Sequence, residues 1–246
     1  MDPDYGAYYG RLYKEHWWWR SRERWVLDAV RRCNLNTPNC NILDIGCGDA
    51  LFFDKLVQFG NVEGLEADGR LVSADNPYRD RIFVGPFDKR FRPGKLYRLI
   101  LLLDVLEHLP DSQAALSEVA SLLDEDGRVL LTVPAFNLLW TNHDVINHHV
   151  TRYRKSSLFP LLRAAGLEVL EADYWFQWTF PVKLVQRAME TVLRSHPTNP
   201  SIPGPFVNGL LSKWSAAEHA LFSRLHIPFG SSLFVVCRRA EPVGTR

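Results

Sequence analysis

Three groups of residues in this sequence have types and spacings suited to chemistry. The first is a glycine turn, Asp44-Ile45-Gly46-Cys47-Gly48 within NILDIGCGDALFFDKL (41–56), with Glu66 following in VEGLE. Glycines there can take backbone angles other residues avoid, which lets a ligand approach the main chain closely. The helix expected after them would offer free N–H groups at its start. The second group is DVLEHLPD (104–111), where Glu107 and His108 could move protons. The same acids would also suit the N-terminal turn of a helix. The third is TNHDVINHHVTRYRKSSL (141–158), which packs His143, Asp144, His148, His149, Arg152 and Tyr153 into one stretch. A neutral histidine is a natural general base near pH 7.

These groups need a scaffold, and the hydrophobic pattern supplies one. Asn41–Ile45, Val62–Leu65, Arg81–Val84 and Arg128–Val133 read as short strands, and RLILLL (98–103) as a strand buried on both faces. Helix patterns lie between them. Asp49–Phe59 ends at Gly60, a helix capped by Asp111 runs to about Leu123, and Ser156 or Ser157 opens another to Ala165. Glu168–Ala172 is again strand-like. Alternation of this kind predicts βαβ units and a parallel sheet, with ligands beyond the carboxyl ends of the strands. The 141–158 stretch is too long for an ordinary connection and falls at that end.

The expected layout is a single domain over 1–246. Residues 1–32 form an aromatic helical cap, 40–172 the ligand-binding core and 173–230 a helical cap insertion. Residues 231–239 form a final strand, returning as an added edge or hairpin partner. HPTNPSIPGP (196–205) breaks the second cap.

The glycine turn also constrains its ligand. A dinucleotide fingerprint wants a third glycine, and Leu51 stands there. Asp44 at the strand end would repel a phosphate but suits a cation. Glu66 is placed to accept hydrogen bonds from ribose hydroxyls, as in Rossmann-type sites. A cationic nucleoside without a pyrophosphate is implied, and S-adenosyl-L-methionine (SAM) has that chemistry.

ILDIGCGDA, VEGLEAD, LILLLDVLEHLPD and LLDEDGRVLLTVP, in this order over roughly 40–172, resemble the motifs of class I SAM-dependent methyltransferases. The resemblance implies an α/β fold, a Rossmann-like seven-stranded methyltransferase sheet with the last strand antiparallel. It implies that Asp44, Gly46, Cys47 and Gly48 line the methionine end of SAM and that Glu66 holds the ribose. Phe87 and Asp88 would flank the adenine, and Leu103 and Asp104 would lie under the sulfonium. DVLEH is also similar to a stretch of ubiquinone-pathway O-methyltransferases that in some members binds a divalent metal. The first acid here is the shorter Asp104, so no metal is expected. His149, Arg152 and Tyr153 match an H-x-x-R-Y segment of a bacterial methyltransferase subfamily. His149 and His108 are the candidate catalytic bases, with Arg152 and Tyr153 on the substrate side.

The acceptor is read from the caps. In EHWWWRSRERW three successive tryptophans sweep about 200° of helix surface, more than one narrow core stripe can bury. Trp17 and Trp18 are therefore candidates to meet substrate. DYWFQWTFPVKLVQRAMETVLR (173–194) adds aromatics and a basic-edged apolar helix of the kind seen at membrane interfaces. A small-molecule or lipid-linked acceptor, lipid-like, quinone or glycan-type, is expected, and so is peripheral membrane contact.

The 246 residues carry a net charge of +1, which argues against a nucleic-acid partner held by broad electrostatics. The four cysteines form no CxxC pair, and no signal peptide or membrane span is evident, so a cytoplasmic setting is expected. An NAD-dependent oxidoreductase and a non-catalytic SAM-binding protein are the competing readings.

Overall fold

A computed structural model describes residues 3–33, 35, 40–193, 200–222 and 225–241. Two helices open the chain, α1 (Pro3–Glu15) and α2 (Trp17–Arg32). The core follows as β1 (Asn41–Ile45), α3 (Phe53–Leu56), β2 (Asn61–Glu66), β3 (Ile82–Val84), β4 (Tyr97–Leu103), α4 (Ser112–Leu122) and β5 (Leu123–Pro134). Then come α5 (Asn142–Ile146), α6 (Lys155–Ala164), β6 (Leu167–Trp175), α7 (Thr179–Leu193), α8 (Pro205–Phe222) and β7 (Ser232–Arg239).

The strands form one seven-stranded sheet in the order β3-β2-β1-β4-β5-β7-β6. The first five are parallel, and β7 runs antiparallel between β5 and β6. The expected class is met, with one correction: β7 is an interior strand and not an edge. Its LFVVC run explains the placement, because every residue from Leu233 to Cys237 is buried. Such a strand is stable only with a neighbour on each side and cover on each face.

Alternating side chains feed two cores. Leu43, Ile45, Ile100, Leu102 and Leu131 face α4 and α6. Ile42, Leu99, Leu101, Leu130 and Phe234 face α2 and α3, where Trp17, Trp25 and Phe176 join them. The strand order reverses between β1 and β4. A crevice therefore opens at their carboxyl ends, where Asp44 and Asp104 emerge.

Three element boundaries differ from the sequence reading. The helix expected over Asp49–Phe59 shrinks to Phe53–Leu56, because Asp49 is drawn sideways. Its carboxylate accepts from the Ser73 N–H, the Ser73 hydroxyl and the Asn76 amide, and Ala50 turns left-handed at φ +53°. β5 begins at Leu123, ahead of the expected Arg128, and β6 extends to Trp175. The 196–205 break lies partly outside the described residues. Among the described residues, no helix is long and apolar enough to cross a membrane.

Candidate active site

The glycine turn is built by β1 and β2 together. The N–H groups of Gly46 and Cys47 both donate to the Leu65 carbonyl, at 2.7 and 3.2 Å. Gly46 and Gly48 are left-handed, at φ +73° and +54°. A methyl group on Gly46 would lie 2.5 Å from Val105 Cγ2, so side-chain-free backbone is needed there. Gly48 faces open space.

Glu66 is buried and turned toward this loop. Its Oε2 accepts the Gly48 N–H and its Oε1 the Asp68 N–H, each at 2.9 Å. Asp44 is buried beside it. Burial pushes its carboxyl up to about 7, Arg22 opposes the rise and the Glu66 charge adds to it.

Across the crevice Asp104 follows β4 in a left-handed conformation, φ +58°, which a non-glycine residue holds only against strain. Thr132 and Arg22 hold it there. The Thr132 hydroxyl donates to Asp104 Oδ1 at 2.9 Å, and Arg22 Nη2 lies 2.8 Å from Oδ2.

A second constellation stands beside Asp104. His149 Nδ1 is 2.8 Å from Asp144 Oδ1. Arg152 grips the same carboxylate through Nε and Nη2, at 2.8 and 2.9 Å, and donates from Nη1 to the Ala135 carbonyl. Burial alone would raise Asp144, but hydrogen bonds from His149 and Arg152 override it and hold the carboxyl well below its ordinary range. The ionised Asp144 fixes the proton on His149 Nδ1 and leaves Nε2 as an acceptor.

That Nε2 lies 4.0 Å from Glu107 Oε1. Glu107 is fully buried, and neither of its carboxylate oxygens has a hydrogen-bond partner. Burial first, and the Asp104 charge second, push Glu107 well above the usual carboxylate range. The His108 ring sits edge-on to His149 at 4.8 Å between centroids. His108 is exposed by surface area, while partial desolvation of its ring, and then His149, pull it down to about 4. Val150 N–H donates to the Glu107 carbonyl at 2.8 Å, which ties the 141–158 stretch to the end of β4.

Glu107, His108 and His149 each offer one ligand atom, all within 4.8 Å of one another. A buried carboxylate without partners and two imidazoles form a donor set that fits a divalent cation. Asp104, the first acid of the resembled metal pattern, is held by Arg22 and Thr132 and stands outside this group.

Several expected residues are engaged with other parts of the protein. Arg152 and Tyr153 were read as substrate-side, but both are buried and engaged. Arg152 is committed to Asp144, and the Tyr153 hydroxyl is 2.7 Å from Ser112 Oγ. Asp88 follows β3 but binds the Arg90 guanidinium and main-chain N–H, so it serves the turn. Phe87 leans on Phe91. Leu103 is partly buried under the crevice on the α2 side. Trp17 is buried against Phe176 and Trp178, and its main-chain N–H donates to Asn208 Oδ1. Trp18 is half-buried, stacks on Phe176 and covers Arg22, whose guanidinium carbon is 5.6 Å from its ring centroid.

Sequence reading missed Arg22, Thr132 and the orienting role of Asp144. Arg22 had a signal: with Trp18 and Trp25 it shares one helical face, and a cation on an apolar stripe needs a partner.

Residues 18–172 match the family described as Methyltransferase domain. A putative methyltransferase from Haloferax volcanii, solved in complex with the Trm112 methyltransferase activator, shares the fold. Its TM-score is 0.60 and identity 17%, with 98% of this chain and 96% of that one covered. A putative sarcosine dimethylglycine methyltransferase from Galdieria sulphuraria gives 0.58 and 16%, covering 89% and 85%. A SAM-dependent methyltransferase from Clostridium acetobutylicum gives 0.57 and 10%, covering 90% and 92%. No curated protein matches the sequence. With its seven-stranded sheet and the glycine turn at the β1/β4 crevice, the chain belongs to the methyltransferase-domain family and is a class I SAM-dependent methyltransferase.

Proposed function

We propose that the protein transfers the methyl group of SAM to an oxygen of a lipid-like, quinone or glycan-type small molecule. His149 is the base. The observation that carries this reading is the Asp144–His149 contact, with His149 Nε2 left free toward Glu107 and His108. SAM would lie between the glycine turn and Glu66 on one side and Asp104 on the other.

In the transfer, an acceptor oxygen attacks the methyl carbon in line with the sulfur. The new O–C bond forms as the S–C bond breaks, S-adenosyl-L-homocysteine leaves, and the hydroxyl proton passes to His149 Nε2. Burial favours the protonated form of Glu107, and in that form it can donate a hydrogen bond to the acceptor. The cation that Glu107, His108 and His149 could hold would lower the pKa of a bound hydroxyl. Such a cation would take the same His149 Nε2 lone pair, so metal binding and the base role of His149 are alternatives.

Lipid-like character and work at a membrane surface are supported by α7 and α8, whose outward faces are apolar and exposed. The test is transfer of labelled methyl from SAM into a fractionated lipid and metabolite extract. A labelled, organic-soluble product that disappears with His149→Ala is expected. SAM binding without any labelled product would instead leave a non-catalytic SAM-binding protein.

A further inference from the structure

On α7, Lys183 makes no hydrogen bond and no ion pair among the described residues. The two residues that follow it on the same helical face are tied down. Arg187 donates to the Asn137 and Leu138 carbonyls, at 2.9 and 2.6 Å, and Glu190 accepts the Asn142 N–H at 2.8 Å. Spacings of four and three residues put 183, 187 and 190 on one stripe, so these contacts turn Lys183 toward the loops beyond β5. Its surroundings say where the ammonium ends. Arg152, Asp144, Asp104 and Glu190 all act on it, and it acts on His143. Asp104 borders the cofactor crevice and Asp144 orients the base, so the ammonium lies on the acceptor side of that crevice. Lys183 is half-buried, yet protein crowds it enough to pull it down to about 8. It faces a cleft and not open water.

Each neighbouring acid is already engaged. Asp144 is held by Arg152 and His149, Asp104 by Arg22 and Thr132, and Glu190 by Asn142 and Gln186. His143 adds no charge of its own, because burial first and Lys183 second pull it down to about 3. An ammonium crowded by protein and left without a partner is unfavourable unless a ligand completes it. A lysine is a flexible point charge, well matched to carboxylate or phosphate oxygens.

We propose that Lys183 selects an acceptor carrying an oxyanion, a carboxylate or a phosphate monoester, beside the hydroxyl that is methylated. The inference rests on methyl transfer with His149 as base and names the acceptor's charge. The oxyanion pairs with the ammonium under α7 and sets the hydroxyl toward His149 Nε2. The inner face of the cap helix thereby becomes the part of the site that reads the acceptor.

The test splits a lipid and metabolite extract on an anion exchanger and offers each pool, with labelled SAM, to the full chain. Methylating a hydroxyl leaves the oxyanion in place, so label should enter the retained pool and its product should bind the exchanger again. Phosphatase treatment of that pool separates the two sources, since it destroys a phosphate monoester and spares a carboxylate. Lys183→Met should raise the apparent KM for the retained pool at least about ten-fold, the scale of one charge-assisted hydrogen bond. Calorimetry should find its affinity for S-adenosyl-L-homocysteine within about two-fold of wild type, and Lys183→Arg should recover most of the loss in KM. Label from the unretained pool alone, or an unchanged KM in Lys183→Met, would overturn the proposal and leave the transfer reading standing. Weakened S-adenosyl-L-homocysteine in Lys183→Met would put the ammonium on the cofactor and overturn it too. Label from neither pool would end both readings.

Discussion

At the scale of single residues, the site works through groups that hold one another in a protonation state. Asp144→Asn leaves the size of the side chain but removes the charge that holds the proton on His149 Nδ1. The turnover number should fall by about 10²–10⁴, the usual worth of a positioned base, with SAM affinity unchanged by calorimetry. Asp44 gives a prediction in pH. Its folded pKa of about 7 stands above the ordinary carboxylate value near 3.9. Between about pH 4 and pH 7 the folded chain holds a proton that the unfolded chain has lost, so this group's contribution to stability falls as pH rises through that window. Cationic SAM favours the ionised form. Binding at pH 6 should therefore release a proton, seen as a buffer-dependent heat, and affinity should strengthen toward pH 7. Asp44→Asn should abolish both effects. Because Asp144 alone orients His149, chelation with EDTA should leave turnover unchanged. A loss restored by added divalent cation would place a metal on Glu107, His108 and His149. His149 was legible in the sequence because its partners are close by. Arg22 was not, since Thr132 is 110 residues away in the chain and only the fold brings them together.

At the scale of elements, the turn between β1 and α3 separates two jobs that the sequence shows as one GxG. Gly46→Ala meets both a left-handed φ and the Val105 side chain, whereas Gly48→Ala meets the φ strain alone. Thermal unfolding should show Gly46→Ala as the more destabilising, by about 1–3 kcal/mol. Gly48→Ala should cost only the strain of its left-handed φ, about 1–2 kcal/mol, and should also weaken SAM, because its methyl would enter the open crevice. Equal melting temperatures would remove Val105 from the argument. The strand β4 was readable because a buried parallel strand leaves a continuous apolar run, as in RLILLL. The short α3 was not, because side chains of Ser73 and Asn76, beyond β2, pull Asp49 out of helical geometry. The place of β7 was also hidden. SSLFVVC states that a strand is buried but not which neighbours it takes.

For the whole molecule, α7 has two faces with different partners. Lys183, Arg187 and Glu190 recur at helical spacing on the inner one. Arg187 donates to the Asn137 and Leu138 carbonyls, and Glu190 accepts from the Asn142 N–H, so this face roofs the approach to His143 and His149. Burial, reinforced by Arg152, pulls Lys183 on that inner face down to about 8. The outer face presents Val182, Val185, Met189 and Val192, each 53–79% exposed. On α8, Phe206, Leu210, Trp214 and Leu221 form a second stripe, 56–83% exposed. Stripes of this size on a water-facing surface call for a cover. The charges beside them favour an anionic bilayer. Both acids of these helices are turned inward, Glu190 onto Asn142 and Glu218 onto the Trp178 N–H, while Lys213 is exposed. The protein should therefore co-sediment with vesicles of phosphatidylcholine and phosphatidylglycerol, and less with phosphatidylcholine alone. Val185→Glu with Met189→Glu, or Leu210→Glu with Trp214→Glu, should abolish the co-sedimentation and leave SAM affinity intact, since none of these side chains is placed in the crevice. Wild-type protein that ignores both vesicles would end the membrane reading without touching the methyltransferase one. A dimer in sedimentation velocity, lost in the same variants, would assign the stripes to a second copy of the chain.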